Sequence, residues 1–150
     1  MNITSGMVRD LRDKTGAGMM DCKVALTESK GDMDAALDLL RKKGVATAEK
    51  KSGRVAADGL IGSFIDNTGK LSVLVEVNCE TDFVAKLEDF QGFVKTLTEV
   101  VKTTNPKDMD ALLATKHGNL TIKEIQTAIL AKIGENLGVR RFSRNAVDGT

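Results

Sequence analysis

The alternating stretch at residues 71–77 constrains the fold most, because it stops abruptly at a polar corner. Apolar side chains recur there at every second position, which places them on one face of a β-strand. The alternation ends at Asn78, and Thr81 and Asp82 follow. Both are favoured helix N-cap residues, because their side-chain oxygens accept backbone N–H bonds. The sequence therefore predicts a strand-to-helix corner that carries Asp82 and Phe83.

Two interpretations of this corner stay open from the segment alone. A connection on a rigid scaffold often carries function, so the acid and the aromatic ring could be presented to a partner. Phenylalanine, however, is more often a core residue, and an aspartate before a helix is more often a cap. The segment by itself favours this second, structural interpretation.

The surrounding patterns predict a small antiparallel sheet with helices packed on one face. Residues 60–65 form a second strand candidate, which the turn-forming run at 66–69 joins to 71–77. A long amphipathic helix is predicted from about residue 87 or 89 to 103. The residues of its apolar stripe are Phe90, Phe93, Val94, Leu97, Val100 and Val101.

The rest of this half adds two helices and a third strand. A short helix is predicted at 109–115, and Thr121 with Glu124 forms a capping box ahead of a helix that ends near Gly134. That helix carries Ile125, Ile129 and Ile133 at helical spacing, and residues 137–142 could form a strand. We assign the chain to the α+β class.

The first 44 residues predict a compact three-helix bundle. Helices are expected at 5–14, 20–29 and 33–42. A glycine-rich turn at 15–18 follows the first helix, and Asp32 is the N-cap of the third. Gly44 closes the unit as a helix stop. Residues 45–56 are rich in alanine and lysine and are interpreted as a linker, part of which could be helical, so the predicted domains are 1–44 and 57–150.

Composition gives no support to several function classes. The net charge is +1, which indicates no nucleic-acid or membrane partner. The absence of Trp and Tyr argues against base-stacking platforms. The sequence contains no phosphate-binding glycine loop and no Cys/His cluster with metal-ligand spacing, so we predict no cofactor, no metal and no enzyme activity.

Cys22 and Cys79 lie far apart and fit buried thiols in a reducing compartment better than a disulfide. A small cysteine-dependent enzyme that uses one of them remains an alternative at this stage. His117, the one histidine, lies in a predicted loop, and nothing near it resembles a nucleophile turn.

Three segments together resemble the elongation factor Ts family, the bacterial-type nucleotide exchange factors for elongation factor Tu. Residues 11–26 read LRDKTGAGMMDCKVAL, residues 76–86 read EVNCETDFVAK, and residues 131–141 read AKIGENLGVRR. The resemblance implies a ubiquitin-associated-like N-terminal module followed by the first subdomain of an α+β core. Members of that family usually continue into a second core subdomain, so the resemblance implies either a truncated chain or an unusually short member.

The resemblance further implies which residues meet the partner, elongation factor Tu. The corner, made of Thr81, Asp82, Phe83 and Val84, would disturb the Mg²⁺ site of the GTPase, with Phe83 as the wedge. The remaining partner-binding candidates are Arg12, Met19, Met20, Lys23, Ile133, Gly134, Glu135 and Asn136. The implied location is the cytoplasm or an organelle matrix.

Each implied role has an alternative. Met19 and Met20 could pack in the core, and Arg12 and Lys23 could be solvated surface residues. Gly134 could serve as a helix C-cap. A module that binds elongation factor Tu with little exchange activity is the alternative function.

Overall fold

The computed structural model describes residues 2–147 and confirms the α+β class. The elements are α1 (Ser5–Thr15), α2 (Met19–Glu28), α3 (Met33–Lys51), β1 (Asp58–Ile65), β2 (Leu71–Cys79), α4 (Asp82–Ala85), α5 (Glu88–Thr104), α6 (Met109–Ala114), β3 (Lys116–His117), β4 (Leu120–Thr121), α7 (Ile122–Ile133) and β5 (Leu137–Ala146). The chain divides into two compact units. The helical unit groups the chain up to Ser52 with Thr127–Gly134, and the sheet unit groups Gly53–Gln126 with the chain from Glu135 onward.

The three predicted N-terminal helices are present in the helical unit, and side-chain caps start two of them. The hydroxyl of Thr4 accepts the N–H of Met7 at 3.2 Å, and the carboxylate of Asp32 accepts the N–H groups of Asp34 and Ala35 at 3.0 and 3.2 Å. The core of this unit is small. Its buried members are Val8, Leu11, Cys22, Ala25, Leu26 and Ala36.

The prediction that the third helix ends near Lys42 is wrong, because α3 continues to Lys51. Most of the segment interpreted as a linker is therefore helical. Gly44 does not have the positive φ of a C-cap glycine; it is buried in the middle of the helix. A β-carbon on Gly44 would lie 3.6 Å from Cβ of Ala131 and 3.7 Å from Cγ2 of Thr127, so this glycine marks a packing contact with the second half of α7.

The sheet unit is built on a three-stranded antiparallel sheet in the order β1-β2-β5. The predicted alternation in β2 is confirmed, since Val73, Val75, Val77 and Cys79 are all buried. The third strand is also present and extends to Ala146, beyond the predicted end. Because β2 is the central strand and its apolar face is covered, the end of β2 is a fixed point from which the corner begins.

Helix α5 covers the sheet as its pattern predicts, and all six residues of the predicted stripe are buried. Its approach to β1 is close. A β-carbon on Gly62 would lie 2.2 Å from Oγ1 of Thr98 and 2.8 Å from Cγ1 of Val94. Only glycine fits at this position without displacing α5.

The capping box at the start of α7 is confirmed. The N–H of Thr121 donates to the carboxylate of Glu124 at 3.0 Å, and the N–H of Glu124 donates to the Thr121 hydroxyl at 3.1 Å. The buried residues of this helix are Ile122, Gln126 and Leu130, whereas Ile125, Ile129 and Ile133 are only half-buried. Periodicity located the helix but not the face that is buried most deeply.

His117 lies in the short strand β3, which pairs with β4, so the prediction of a loop there is wrong. Gly118, with a φ of 70°, supplies the tight turn between the two strands. Within residues 2–147, no helix has the length and apolar character needed to cross a membrane.

Candidate functional site

The predicted strand-to-helix corner is present where β2 gives way to α4. Thr81 has an extended backbone and caps α4, its hydroxyl accepting the N–H of Val84 at 3.4 Å. Val84 and Ala85 are buried, whereas the ring of Phe83 is 77% exposed. The interpretation of Phe83 as a core residue is therefore wrong: the corner is anchored by its aliphatic residues and presents its ring to solvent.

Asp82 lies in the first turn of α4, one residue beyond the cap. Its carboxylate is 4.0 Å from the ammonium of Lys86, and both side chains are mostly exposed. Exposed pairs at this spacing contribute little to stability. The corner therefore exposes an acid and an aromatic ring at consecutive positions, and Asp82 is held only loosely.

Glu135 and Asn136 lie against the corner. The Glu135 carboxylate accepts the N–H of Thr81 at 3.1 Å and the Thr81 hydroxyl at 2.8 Å, across 54 residues of sequence. The N–H of Asn136 donates to the Glu80 carboxylate at 2.7 Å. The chain that follows α7 is therefore joined to the corner by hydrogen bonds in both directions.

Arg54 belongs to the same cluster and was not predicted from the sequence. The side-chain amide of Asn136 donates to the Arg54 carbonyl at 2.8 Å, and the Arg54 guanidinium lies 3.6 Å from the Glu80 carboxylate. Nothing in the local sequence around Arg54 indicates this position, because its partners are distant along the chain.

Ile133 and Gly134 lie at the end of α7, where Gly134 has the positive φ of 83° expected of a C-cap glycine. Its N–H donates to the Leu130 carbonyl at 2.7 Å. Its carbonyl accepts a hydrogen bond from the ammonium of Lys51. The C-cap interpretation of Gly134 is thus confirmed.

A second exposed apolar surface lies on α2, in the helical unit. Met19 and Met20 are 55% and 70% exposed, so neither packs in the core. Arg12 and Lys23 are also exposed. Val24, one turn beyond Met20, is exposed as well. Because residues at i and i+4 are neighbours on a helix surface, Met20 could have pointed to Val24 as a further member of this exposed surface.

Comparison with known proteins identifies the relatives. The family model for elongation factor TS matches residues 80–150. Elongation factor Ts of Clostridium novyi (strain NT) is 49% identical over 149 residues, which cover 97% of this chain and 49% of that protein. The elongation factor Ts of Methylococcus capsulatus (strain ATCC 33009 / NCIMB 11132 / Bath) is 49% identical over 145 residues, covering 96% and 50%. That of Hydrogenovibrio crunogenus (strain DSM 25203 / XCL-2) is 48% identical over 151 residues, covering 100% and 51%.

Over the residues compared, the chain is similar to these elongation factor Ts proteins, at 48 to 49% identity. The resemblance seen in the three sequence segments is therefore confirmed. The chain spans about half the length of the curated elongation factor Ts relatives that it matches. The family model begins at Glu80, so it includes the corner and the segment that follows α7.

The two cysteines of the chain are free and buried. Burial raises the pKa of the Cys79 thiol, and the nearby Glu135 and Asp58 carboxylates raise it further. Burial also raises the pKa of Cys22. Because the thiolate is the nucleophile, both thiols are poorly suited to covalent chemistry at neutral pH, which argues against the cysteine-enzyme alternative.

Cys79 has a structural contact instead, since its thiol lies 3.1 Å from the Thr81 carbonyl. Across the described residues, no group of three or more His, Cys, Asp or Glu side chains is placed to hold a metal ion.

Proposed function

We propose that the chain acts in translation elongation as a nucleotide exchange factor, binding elongation factor Tu·GDP and promoting the release of GDP. The observation that carries the proposal is the exposed Phe83 ring on α4, which lies between the N-cap residue Thr81 and the buried Val84. An aromatic ring that enters a partner's desolvated pocket is a typical energetic anchor. No covalent step is needed, so the chain works as a binding protein and not as an enzyme.

The proposed mechanism acts on the magnesium ion of the GTPase. Phe83 inserts between structural elements of the partner, and Asp82 lies beside it. Mg²⁺ requires near-ideal octahedral geometry, so a small displacement of the groups that hold it weakens its binding. When the ion is lost, the GDP phosphates lose charge compensation and the nucleotide dissociates. The coupling is reciprocal: the exchange factor and GDP lower each other's affinity by the same factor.

Met19 and Met20 supply a second contact in this proposal. Both side chains are exposed on α2, and a flexible, polarizable thioether adapts well to an apolar groove. Arg12 and Lys23 would add charge around them. Ile133 and Gly134 remain further proposed contacts at the end of α7.

The test is the rate of GDP release from elongation factor Tu loaded with a fluorescent GDP. The wild-type chain is expected to accelerate release, and Phe83→Ala is expected to reduce the acceleration about thirty-fold, as for an interface hot spot. Ile65→Ala is the matched control, because Ile65 is an exposed apolar residue of the same unit. Equal acceleration by Phe83→Ala and wild type would refute the role of the ring.

The alternative function, a module that binds elongation factor Tu with little exchange activity, has one observation in its favour. The chain spans about half the length of its relatives, and the exposed methionines could bind without the rest. Stoichiometric binding in titration calorimetry, with no faster GDP release at saturation, would select this alternative.

A further inference from the structure

The Thr81–Glu135 contact joins the corner to a distant part of the chain. One carboxylate accepts both the backbone N–H and the hydroxyl of Thr81, at 3.1 and 2.8 Å. Hydrogen bonds to an ionised acceptor are roughly twice as strong as neutral ones, and a two-point contact also fixes orientation. Glu135 therefore restrains Thr81 in direction as well as in position.

The Thr81 hydroxyl serves two partners at once. It has one proton and two acceptor lone pairs. The proton is donated to Glu135, which leaves a lone pair for the N–H of Val84, at 3.4 Å. Glu135 thus sets the hydroxyl in the orientation that caps α4.

Helix α4 needs such external support. It has four residues, far fewer than the twelve or so at which isolated helices become even marginally stable. Its internal anchors are Val84 and Ala85, which are buried. The direction of the Phe83 ring therefore depends on two restraints, the packing of these residues beneath the corner and the cap at Thr81.

A second contact supports the same arrangement. The N–H of Asn136, the residue after Glu135, donates to the Glu80 carboxylate at 2.7 Å, next to Thr81. Arg54 lies 3.6 Å from that carboxylate and accepts from the Asn136 side chain through its carbonyl, at 2.8 Å. The two-residue segments 80–81 and 135–136 are thus held together at both positions.

We propose that Glu135 is a positioning residue, whose carboxylate fixes the Thr81 cap and thereby the direction in which Phe83 is presented. This inference rests on the proposed function for its consequence, faster GDP release. It assigns Glu135 a role inside the corner, distinct from the contact with the partner that the family resemblance implies.

Three variants separate the two roles. Glu135→Ala removes both hydrogen bonds. Glu135→Gln removes the charge but keeps an acceptor for the Thr81 N–H and a donor for its hydroxyl oxygen. Thr81→Val keeps the shape of Thr81 and removes the hydroxyl. Glu99→Ala is the matched control, since it removes an exposed glutamate from α5 of the same unit.

The first measurement is amide hydrogen exchange on the 150-residue chain without any partner. In Glu135→Ala, the amides of Thr81 and Val84 are expected to exchange about tenfold faster, as on the loss of one charge-assisted bond. Glu135→Gln should retain most of their protection, and Glu99→Ala all of it. Unchanged protection of Thr81 in Glu135→Ala would overturn the proposal.

The second measurement is GDP release over a range of exchange-factor concentrations. Glu135→Ala is expected to lower the maximal rate about tenfold while changing the half-saturating concentration less, and Glu135→Gln should restore the rate. Glu135→Ala and Thr81→Val together should cost less than the product of their separate effects. If Glu135→Gln is as defective as Glu135→Ala while its Thr81 amide stays protected, the glutamate acts through its charge on the partner and the positioning role is refuted.

Failure of the proposed function would give a different pattern. Phe83→Ala would then leave release unchanged, while Glu135→Ala still loosened the Thr81 and Val84 amides. That result would sustain the positioning role of Glu135 and remove only its link to nucleotide exchange.

Discussion

The two units each present an apolar surface, but they hold it in different ways. Met19 and Met20 are neighbours in sequence at the start of α2, and the helix itself places their side chains. Phe83 lies on a four-residue helix whose N-cap residue, Thr81, is hydrogen-bonded to a glutamate 54 residues away. The helical unit therefore offers flexible side chains on a locally specified element, whereas the sheet unit offers a ring whose direction is set by contacts between distant residues.

The difference matters for the work each surface is proposed to do. A docking surface gains from side chains that adapt, and methionine does so readily. A side chain that inserts into a partner and displaces its groups needs a fixed position, and therefore a rigid scaffold. Packing in the sheet unit is accordingly tight: an added β-carbon at Gly62 would lie 2.2 Å from Oγ1 of Thr98, whereas one at Gly44 of the helical unit would make ordinary contacts at 3.6 Å or more.

The largest expected effect tests whether the buried phenylalanine, and not the exposed one at the corner, stabilises the fold. Phe90→Ala and Phe83→Ala are the same chemical change at opposite exposures, 0% and 77%. Phe90→Ala is expected to lower the free energy of unfolding by about 3 to 5 kcal/mol, because it leaves a cavity under the sheet. Phe83→Ala should change it by less than about 0.5 kcal/mol. Urea denaturation measures both, and a large loss in Phe83→Ala would mean that the ring supports the fold.

A pair of glycine substitutions tests the contrast in packing. Gly62→Ala should destabilise the chain by about 1 to 3 kcal/mol, because Thr98 and Val94 are β-branched and cannot rotate away freely. Gly44→Ala should stabilise it by about 0.5 to 1 kcal/mol, since alanine favours a helix and its methyl group fits. Thermal melting compares the two variants. If both melting temperatures shifted in the same direction, the proposed difference in packing between the two units would be contradicted.

Removal of the methionine surface should affect binding and leave folding intact. Met19→Ala combined with Met20→Ala is expected to weaken binding to elongation factor Tu about tenfold, or about 1.4 kcal/mol. The melting temperature should change little, because both side chains are exposed and contribute little to the stability of the fold. Val45→Ala, an exposed apolar position on α3, is the control. Calorimetry of binding and thermal melting separate the two effects. Equal losses of binding free energy and of folding stability would mean that the methionines support the fold and not the contact with the partner.

The smallest effect is the response of the sheet unit to acid. The hydrogen bond from Arg141 to Glu76, 2.8 Å long, lowers the pKa of that carboxyl below its ordinary value. A carboxyl with a lowered pKa contributes stability at neutral pH, and this contribution is lost as the pH falls below about 4.3 and through the folded-state pKa.

Glu76→Gln tests this contribution. The melting temperature of the variant should lie slightly below that of the wild type at about pH 7, and the difference should shrink towards about pH 3. A gap that widens in acid would contradict the sign of the pKa shift. The hydrogen-bonded Asp66 carboxyl in the β1–β2 turn stays in both proteins, so the variant isolates Glu76.

Several elements could be predicted from the sequence because their causes are local. The alternation in β2, the stripe of α5, the capping box of Thr121 with Glu124 and the cap at Asp32 depend on residues a few positions apart. These patterns placed β2, the corner, helix α5 and the start of α7 correctly. They failed at Gly44, because a glycine that ends a helix and a glycine that allows close packing look the same in one dimension.

The sequence by itself thus determined where β2 ends in a corner, which faces of β2 and α5 are apolar, and which family the chain resembles. The tertiary structure decided which side of the corner faces solvent, that Glu135 holds Thr81, and that Arg54 joins the cluster through Glu80 and Asn136. The physical reason is distance along the chain. A hydrogen bond between residues 54 positions apart leaves no periodic trace, and the exposure of one ring depends on everything packed beneath it.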